Sequence, residues 1–308
     1  MKTLCLVLNN REPISENVLD RFQDRIIPVW YQHTDDKFSL DDALEQNSGT
    51  QLLVSTYMEL SREKLKRLPD LKGIIATTVA VEYIDRDYCK EKGIRVSNTP
   101  KYTGSSVAEY AFALMLAAAR HLTSVDHQVR NGDFNCFEFL GLELAGKTAG
   151  IIGLGDIGSR VAKFAQSFDM DVLYFNRSQK HSTSGRQVEL PTLLACSDVI
   201  FLTLPLNTES RSMIGRKEFS AMKKGAILVN VSPDEILDLD ALVDALNKRQ
   251  LYAALDLHKR QPSLLDTPNS ILSPRRAWYT QDCFDRRVAT WIKTLESYLD
   301  GTLINTVV

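Results

Sequence analysis

Short apolar runs alternate along the chain with stretches in which apolar residues recur every three or four positions. Leu4–Leu8, Leu52–Ser55, Ile74–Thr77 and Arg95–Ser97 are brief and apolar and read as strands. Ser15–Arg25, Leu40–Asn47, Ser61–Leu68 and Asp85–Lys92 read as helices between them, the last stopped by Gly93. This pattern predicts an α/β unit with a parallel sheet. Ser105–Val129 then reads as one long helix, apolar on several faces and so either buried or at a subunit interface. Its His121 and His127 read as packing or surface residues. Gly132–Gly141 reads as a loop carrying three phenylalanines.

A second alternating series opens at Ala149. Strands are expected at Asp171–Phe175, Val199–Leu204, Ala226–Val231, Tyr252–Leu257 and Ser270–Leu272, with helices at Leu190–Cys196, Arg216–Ala221 and Leu239–Lys248. This is the pattern of a doubly wound parallel sheet. Asp282–Leu299 is amphipathic and ends before Gly301.

The most informative stretch is Thr148–Ala165. An apolar run ends in Gly153-Leu154-Gly155-Asp156-Ile157-Gly158, and Val161, Ala162 and Ala165 then mark one side of a helix. A strand, a glycine turn and a helix in this order seat a dinucleotide pyrophosphate. Gly153 permits the turn, Gly155 lets backbone approach phosphate, and Gly158 lets the helix pack on the strand. The anion then rests on the helix N–H groups and dipole. The competing reading is a Gly-rich turn with a purely structural role.

Composition narrows the partners. Hydrophobic residues make up 44% and charged residues 25% of 308, enough for two ordinary domains. A formal net charge of −2 argues against a nucleic-acid or membrane surface built on bulk positive charge. Five scattered cysteines show neither metal-site nor disulfide spacing, so a reducing, cytoplasmic setting is expected. Met1–Leu8 is too short for a signal segment and reads as a strand. No run approaches the roughly 18 apolar residues that span a membrane.

Several segments together resemble the D-isomer-specific 2-hydroxyacid dehydrogenases over nearly the whole chain. They are Val96–Pro100, Ser106–Ala113, Gly146–Gly155, Leu202–Leu206, Met222–Asn230, Ala253–Asp256 and Ala277–Tyr279. The resemblance implies two Rossmann-like domains. A cofactor domain, residues 99–281, would be inserted into a flavodoxin-like substrate domain, residues 1–98 and 282–308. It also implies an active site in the cleft between them and a homodimer formed through the cofactor domain.

Cofactor choice turns on the end of the second strand, where an acidic residue normally accepts from the ribose 2′-OH. Asn176 stands there, followed by Arg177 and Ser178, with Lys180 and His181 behind. A guanidinium without the carboxylate suits a 2′-phosphate. NADP(H) is therefore favoured. The alternative is NAD(H) bound through Asn176, with Arg177 beside adenine or in water. Leu204 and Pro205 are further candidate nucleotide contacts. Asp256 matches the family's carboxamide-holding aspartate, and backbone at Val231 and Ser232 would flank the ring; a capped strand-end carboxylate is the other reading of Asp256.

The family's reaction centre is altered. The resemblance assigns an arginine, a glutamate and a histidine to hydride transfer at C2 of a 2-oxo or 2-hydroxy acid. Pro233, Gln261 and Arg275 stand at those positions. Proline carries no cation, glutamine cannot raise a partner's pKa, and arginine exchanges no proton near neutrality. General acid–base help is worth about 10²–10⁴-fold, so low activity on ordinary 2-oxoacids is expected. Arg275 is a candidate anion binder, with Arg276 or Lys101. Tyr102, Tyr279, His258 and Glu82 are candidate proton donors, each with a packing or solvated role as its alternative. Backbone at Val79 and Ala80 is a candidate for a substrate carboxylate, although Ala80 replaces a glycine that would widen the loop's options. An oxidoreductase acting on an unusual small anionic substrate is the favoured function. A nucleotide-binding sensor or scaffold without turnover, or a non-redox enzyme, is the alternative.

Overall fold

Most of the apolar runs become strands of two parallel sheets in the computed structural model, which describes residues 2–9, 14–32, 38–179 and 184–308. The chain forms two compact units, Met1–Tyr102 with Gln281–Val308, and Thr103–Thr280.

The first unit contains β1 (Thr3–Asn9), β2 (Ile26–Gln32), α1 (Leu40–Gln46), β3 (Leu52–Ser55), α2 (Arg62–Leu65), β4 (Gly73–Ala76), α3 (Arg86–Lys92) and β5 (Arg95–Ser97). Among the described residues its sheet has the order β2-β1-β3-β4-β5, every pair parallel. That is the flavodoxin-like order. Every residue of β3 and β4 is buried, as expected of central strands covered on both faces. The Asp85 carboxylate accepts the Tyr88 N–H at 2.8 Å to start α3, and Gly93 ends it at φ +68°.

Two local expectations fail here. Residues 15–25 form a 3₁₀ turn, Glu16–Phe22, in place of an α-helix. β2 goes unpredicted because Pro28 interrupts its apolar run. Proline cannot donate to a ladder, and the strand tolerates it by lying at the sheet edge.

The second unit runs α4 (Gly104–Ala119), α5 (Leu122–Arg130), β6 (Thr148–Ile152), α6 (Asp156–Ser167), β7 (Asp171–Phe175), β8 (Arg186–Gln187), α7 (Leu190–Cys196), β9 (Val199–Leu202), α8 (Arg216–Ala221), β10 (Ala226–Asn230), α9 (Leu239–Asn247), β11 (Leu251–Asp256) and β12 (Ser270–Ser273). The long helix expected at 105–129 is therefore two. His121 separates them at φ +50°, its ring 5.2 Å from Tyr252 and 5.8 Å from Phe139. No glycine or proline marks that break; packing overrides helix propensity. α4 buries most of its residues, whereas α5 buries none.

The second sheet has the order β12-β11-β10-β9-β6-β7-β8, again all parallel. β6 comes first in sequence yet lies between β9 and β7. The strand order reverses there, which opens a crevice beyond the carboxyl ends of β6 and β9. The chain then returns to the first unit as α10 (Gln281–Leu299), whose Trp291 and Leu295 pack against Cys5, Val7 and Leu52. No helix among the described residues is long and apolar enough to cross a membrane.

Candidate active site

The glycine turn occupies that crevice, and each glycine has a separate reason to be there. Gly153 sits at φ +99°, and a Cβ on it would lie 2.9 Å from the Thr203 carbonyl oxygen. A Cβ on Gly158 would lie 2.2 Å from the Gly153 carbonyl oxygen, so α6 can pack this closely only with glycine. A Cβ on Gly155 would meet no atom within 4 Å, so this residue faces open space at the start of α6. Open backbone beside the unpaired N–H groups of a helix start can seat an anion. The Thr203 hydroxyl donates to the Gly153 oxygen at 2.7 Å and holds the turn. Asp156, at the first turn of α6, pairs with Arg160 at 3.1 Å, and Ile157 packs against the core.

A cavity of about 440 Å³ extends from this turn. It brings together Gly153, Gly155, Asn176, Arg177, Ser178, Leu204 and Pro205, all singled out from the sequence. Phe175, Thr203, Asn207, Glu209, Ser210 and Met213 also line it and were not foreseen. The Asn176 side-chain oxygen accepts the Leu154 N–H at 2.7 Å, so this residue braces the glycine turn. Arg177 forms an ion pair with Glu209. Lys180 and His181 lie outside the described residues. Ser232 is buried, and its hydroxyl accepts the Leu204 N–H at 2.8 Å. Val231 is partly buried beside the same core.

The ends of β11 and β12 carry a second cavity, about 340 Å³, lined by His258, Lys259, Arg260, Gln261, Ser273 and Arg275 among others. Asp256 lies beneath that region, 2% exposed. Its Oδ1 accepts the Ser273 hydroxyl at 2.6 Å and the Arg276 N–H at 2.7 Å; its Oδ2 accepts the Ala277 N–H at 2.9 Å. A carboxylate has about four acceptor positions, so three are taken and one remains for a carboxamide N–H. The open backbone of the glycine turn and the acceptor left on Asp256 are of the chemistry that a nicotinamide dinucleotide requires.

Asp234 is the important residue that the sequence reading missed. It is 2% exposed and accepts from the His258 N–H at 3.1 Å, the Lys259 N–H at 3.2 Å and Gln261 Nε2 at 3.1 Å. Its carboxylate explains the amide at 261, since a glutamate there would set two carboxylates in contact. Pro233 caps the short 3₁₀ turn containing Asp234. Arg275 is exposed and holds φ +51°. Burial, reinforced by the Arg275 charge, lowers the His258 pKa below its ordinary value, so this imidazole is unprotonated near neutral pH.

The remaining candidates divide clearly. Tyr102 is 4% exposed, and burial pushes its phenol well above the ordinary tyrosine range. The Arg287 guanidinium lies 5.7 Å from its ring, so Tyr102 is packed in its own unit. Lys101 is exposed at φ +60°, a left-handed conformation that glycine adopts without strain. The Val79 oxygen accepts Asn98 Nδ2 at 2.8 Å, and the Ala80 oxygen accepts the Thr78 hydroxyl at 2.6 Å. Ala80 is not among the positive-φ residues, so its methyl imposes no left-handed strain. Glu82 is exposed beside Asp85 and Lys90. Tyr279 is 46% exposed, with the Arg276 guanidinium 4.2 Å above its ring. Among the described residues no group of three or more His, Cys, Asp or Glu is placed to hold a metal ion.

Comparison with known proteins agrees with this geometry. Residues 112–277 match the family model described as "D-isomer specific 2-hydroxyacid dehydrogenase, NAD binding domain". A glyoxylate reductase of Aeropyrum pernix is 33% identical over 308 residues, covering 94% of this chain and 90% of its own. A glyoxylate reductase of Thermococcus litoralis is 34% identical over 261 residues, covering 80% and 79% respectively. A solved acyclic imino acid reductase, in complex with NADPH and D-Arg, superposes with a TM-score of 0.88 at 28% identity, over 99% of this chain and 100% of that one. The chain belongs to the D-isomer-specific 2-hydroxyacid dehydrogenase family. It is an oxidoreductase of that type, with a domain that binds a nicotinamide cofactor.

Proposed function

We propose that this chain uses NADPH to reduce a small anionic substrate whose reacting bond is C=N, a 2-imino acid. The observation that carries the reading is the cavity at the ends of β11 and β12. The positions that the resemblance assigns to the reaction centre carry Pro233, Gln261 and Arg275; Gln261 and Arg275 line this cavity beside His258, whose imidazole is kept unprotonated. A carbonyl oxygen needs a proton donor as hydride arrives. An iminium brings its proton already on nitrogen, and its carbon accepts hydride while the nitrogen takes up the π electrons. The dinucleotide supplies that hydride. The imino acid reductase similar to this chain was solved with NADPH and an amino acid, which supports both halves of the reading.

In this reading Gly153, Gly155 and Gly158, with Asp156 and Ile157 at the start of α6, form the pyrophosphate seat. Asn176, Arg177 and Ser178 hold the adenosine end, Arg177 facing the 2′-phosphate. Leu204 and Pro205 flank the nucleotide. Val231, Ser232 and Asp256 orient the nicotinamide end. Arg275 attracts the substrate carboxylate; backbone at Val79 and Ala80 and the Lys101 cation are further candidate anion contacts. NADPH oxidation, followed by absorbance, is expected with pyruvate or glyoxylate only when ammonium or methylamine is added. Equal rates without amine would return the chain to ordinary 2-oxoacid reduction. NADPH binding with no oxidation in either case would identify a nucleotide-binding protein without turnover.

We also propose a homodimer built on α5 and the segment that follows it. Leu122, Val125 and Val129 are exposed on α5, and Phe134, Phe137 and Leu140 are 80%, 91% and 93% exposed. Exposed large apolar side chains concentrated in one segment mark an interaction site. Sedimentation should give a dimer at micromolar concentration, and Phe137→Ser with Leu140→Asp a folded monomer. A monomeric wild type would refute this.

A further inference from the structure

The strand-end carboxylate that reads the ribose in most nucleotide-binding units of this kind is missing at Asn176. The fold returns a carboxylate to the same cavity from the opposite side, through Glu209. Its partner is Arg177, and both side chains are largely exposed, 63% and 78%. An exposed ion pair adds little to stability, so its worth to the fold does not account for it.

Both ends of the pair are mounted on fixed turns. The Asn207 side-chain oxygen accepts the Glu209 and Ser210 N–H groups, each at 2.9 Å. The Ser210 hydroxyl accepts the Asn207 N–H at 2.8 Å and donates to the Pro205 oxygen at 2.8 Å. Across the cavity, Gln187 Nε2 donates to the Asn176 and Ser178 oxygens at 3.2 and 3.3 Å, which holds the turn carrying Arg177.

We propose that Glu209 is a specificity-determining residue of the cofactor cavity. It holds the Arg177 guanidinium and so limits how strongly the site prefers a 2′-phosphorylated dinucleotide. The inference rests on the reading that Arg177 receives the 2′-phosphate. One guanidinium fork cannot present the same N–H groups to two anions, so Glu209 acts on the 2′-phosphate by occupying Arg177. A ribose 2′-OH makes no such demand on the guanidinium. Glu209 therefore weakens NADPH binding and leaves NADH binding nearly unchanged.

Fluorescence titration of NADPH and NADH against wild type, Glu209→Gln, Arg177→Ala and the double variant tests this. Glu209→Gln should tighten NADPH about tenfold, roughly the lower range of one charge-assisted hydrogen bond, and leave NADH within about twofold. In the Arg177→Ala background the same substitution should change neither. If Arg177→Ala weakens NADPH selectively but Glu209→Gln does not tighten it, this inference fails and the NADPH reading stands. If Arg177→Ala leaves the NADPH-to-NADH ratio unchanged, both fail. A tightening that persists without Arg177 overturns the proposed route through the guanidinium.

Discussion

The combined substitution Pro233→Arg, Asp234→Gly, Gln261→Glu and Arg275→His is expected to raise 2-oxoacid reduction by about 10²–10⁴-fold, the usual worth of general acid–base help. The change at 234 is included because the Asp234 carboxylate accepts Gln261 Nε2 at 3.1 Å. Gln261→Glu alone would press two carboxylates together, and like charges that close raise the pKa of the pair. A carboxyl pKa raised by folding makes stability greatest at low pH and diminishes it as pH rises through the raised value. Denaturation of the single variant should therefore show a loss of about 1–3 kcal/mol at pH 8 that largely disappears near pH 4.5. Asp234→Gly removes the clash but also the acceptor for the His258 and Lys259 N–H groups, so the fourfold variant should be less stable than wild type. Steady-state assays on pyruvate and glyoxylate decide the matter. A folded fourfold variant with no gain would mean that position 275 does not present its side chain to the reacting carbon.

The second large effect lies in the glycine turn. Gly158→Ala would place a methyl 2.2 Å from the Gly153 carbonyl oxygen, which is backbone and cannot swing aside. The turn must shift, at a cost of about 1–3 kcal/mol or more, and NADPH affinity should fall about a hundredfold. Gly155→Ala provides the contrast, since its methyl would meet no protein atom within 4 Å. Its melting temperature should match wild type while NADPH affinity falls as steeply, because the methyl takes the space a phosphate needs. Thermal melts beside nucleotide titrations separate the two. Wild-type affinity in Gly155→Ala would show that the pyrophosphate is not seated there.

The features legible in the sequence are those whose cause is local. Each glycine of the turn can be assigned from its neighbours, because a strand, a tight turn and a helix leave few roles for it. The central strands announce themselves as buried apolar runs. What escapes is determined at a distance. β2 carries a proline that only an edge position excuses. The break at His121 depends on rings from Phe139 and Tyr252, the latter more than a hundred positions along the chain. Asp234 reads as an ordinary acidic residue until the loop 24 to 27 positions later closes on it. Glu209 carries no signal at all until β7 and β9 bring its turn opposite Arg177.

Arg275 holds a left-handed backbone that a non-glycine residue enters at a cost of about 1–2 kcal/mol. Three bonds from Ser273, Arg276 and Ala277 to the buried Asp256 hold the segment on either side of it. The loop is thus a socket whose shape is set by Asp256, and the side chain at 275 is a fitting carried by it. A histidine can give way to an arginine there without any change in the mounting. The side chain at 275 can therefore be exchanged, cation for proton carrier, while the mounting around Asp256 stays as it is.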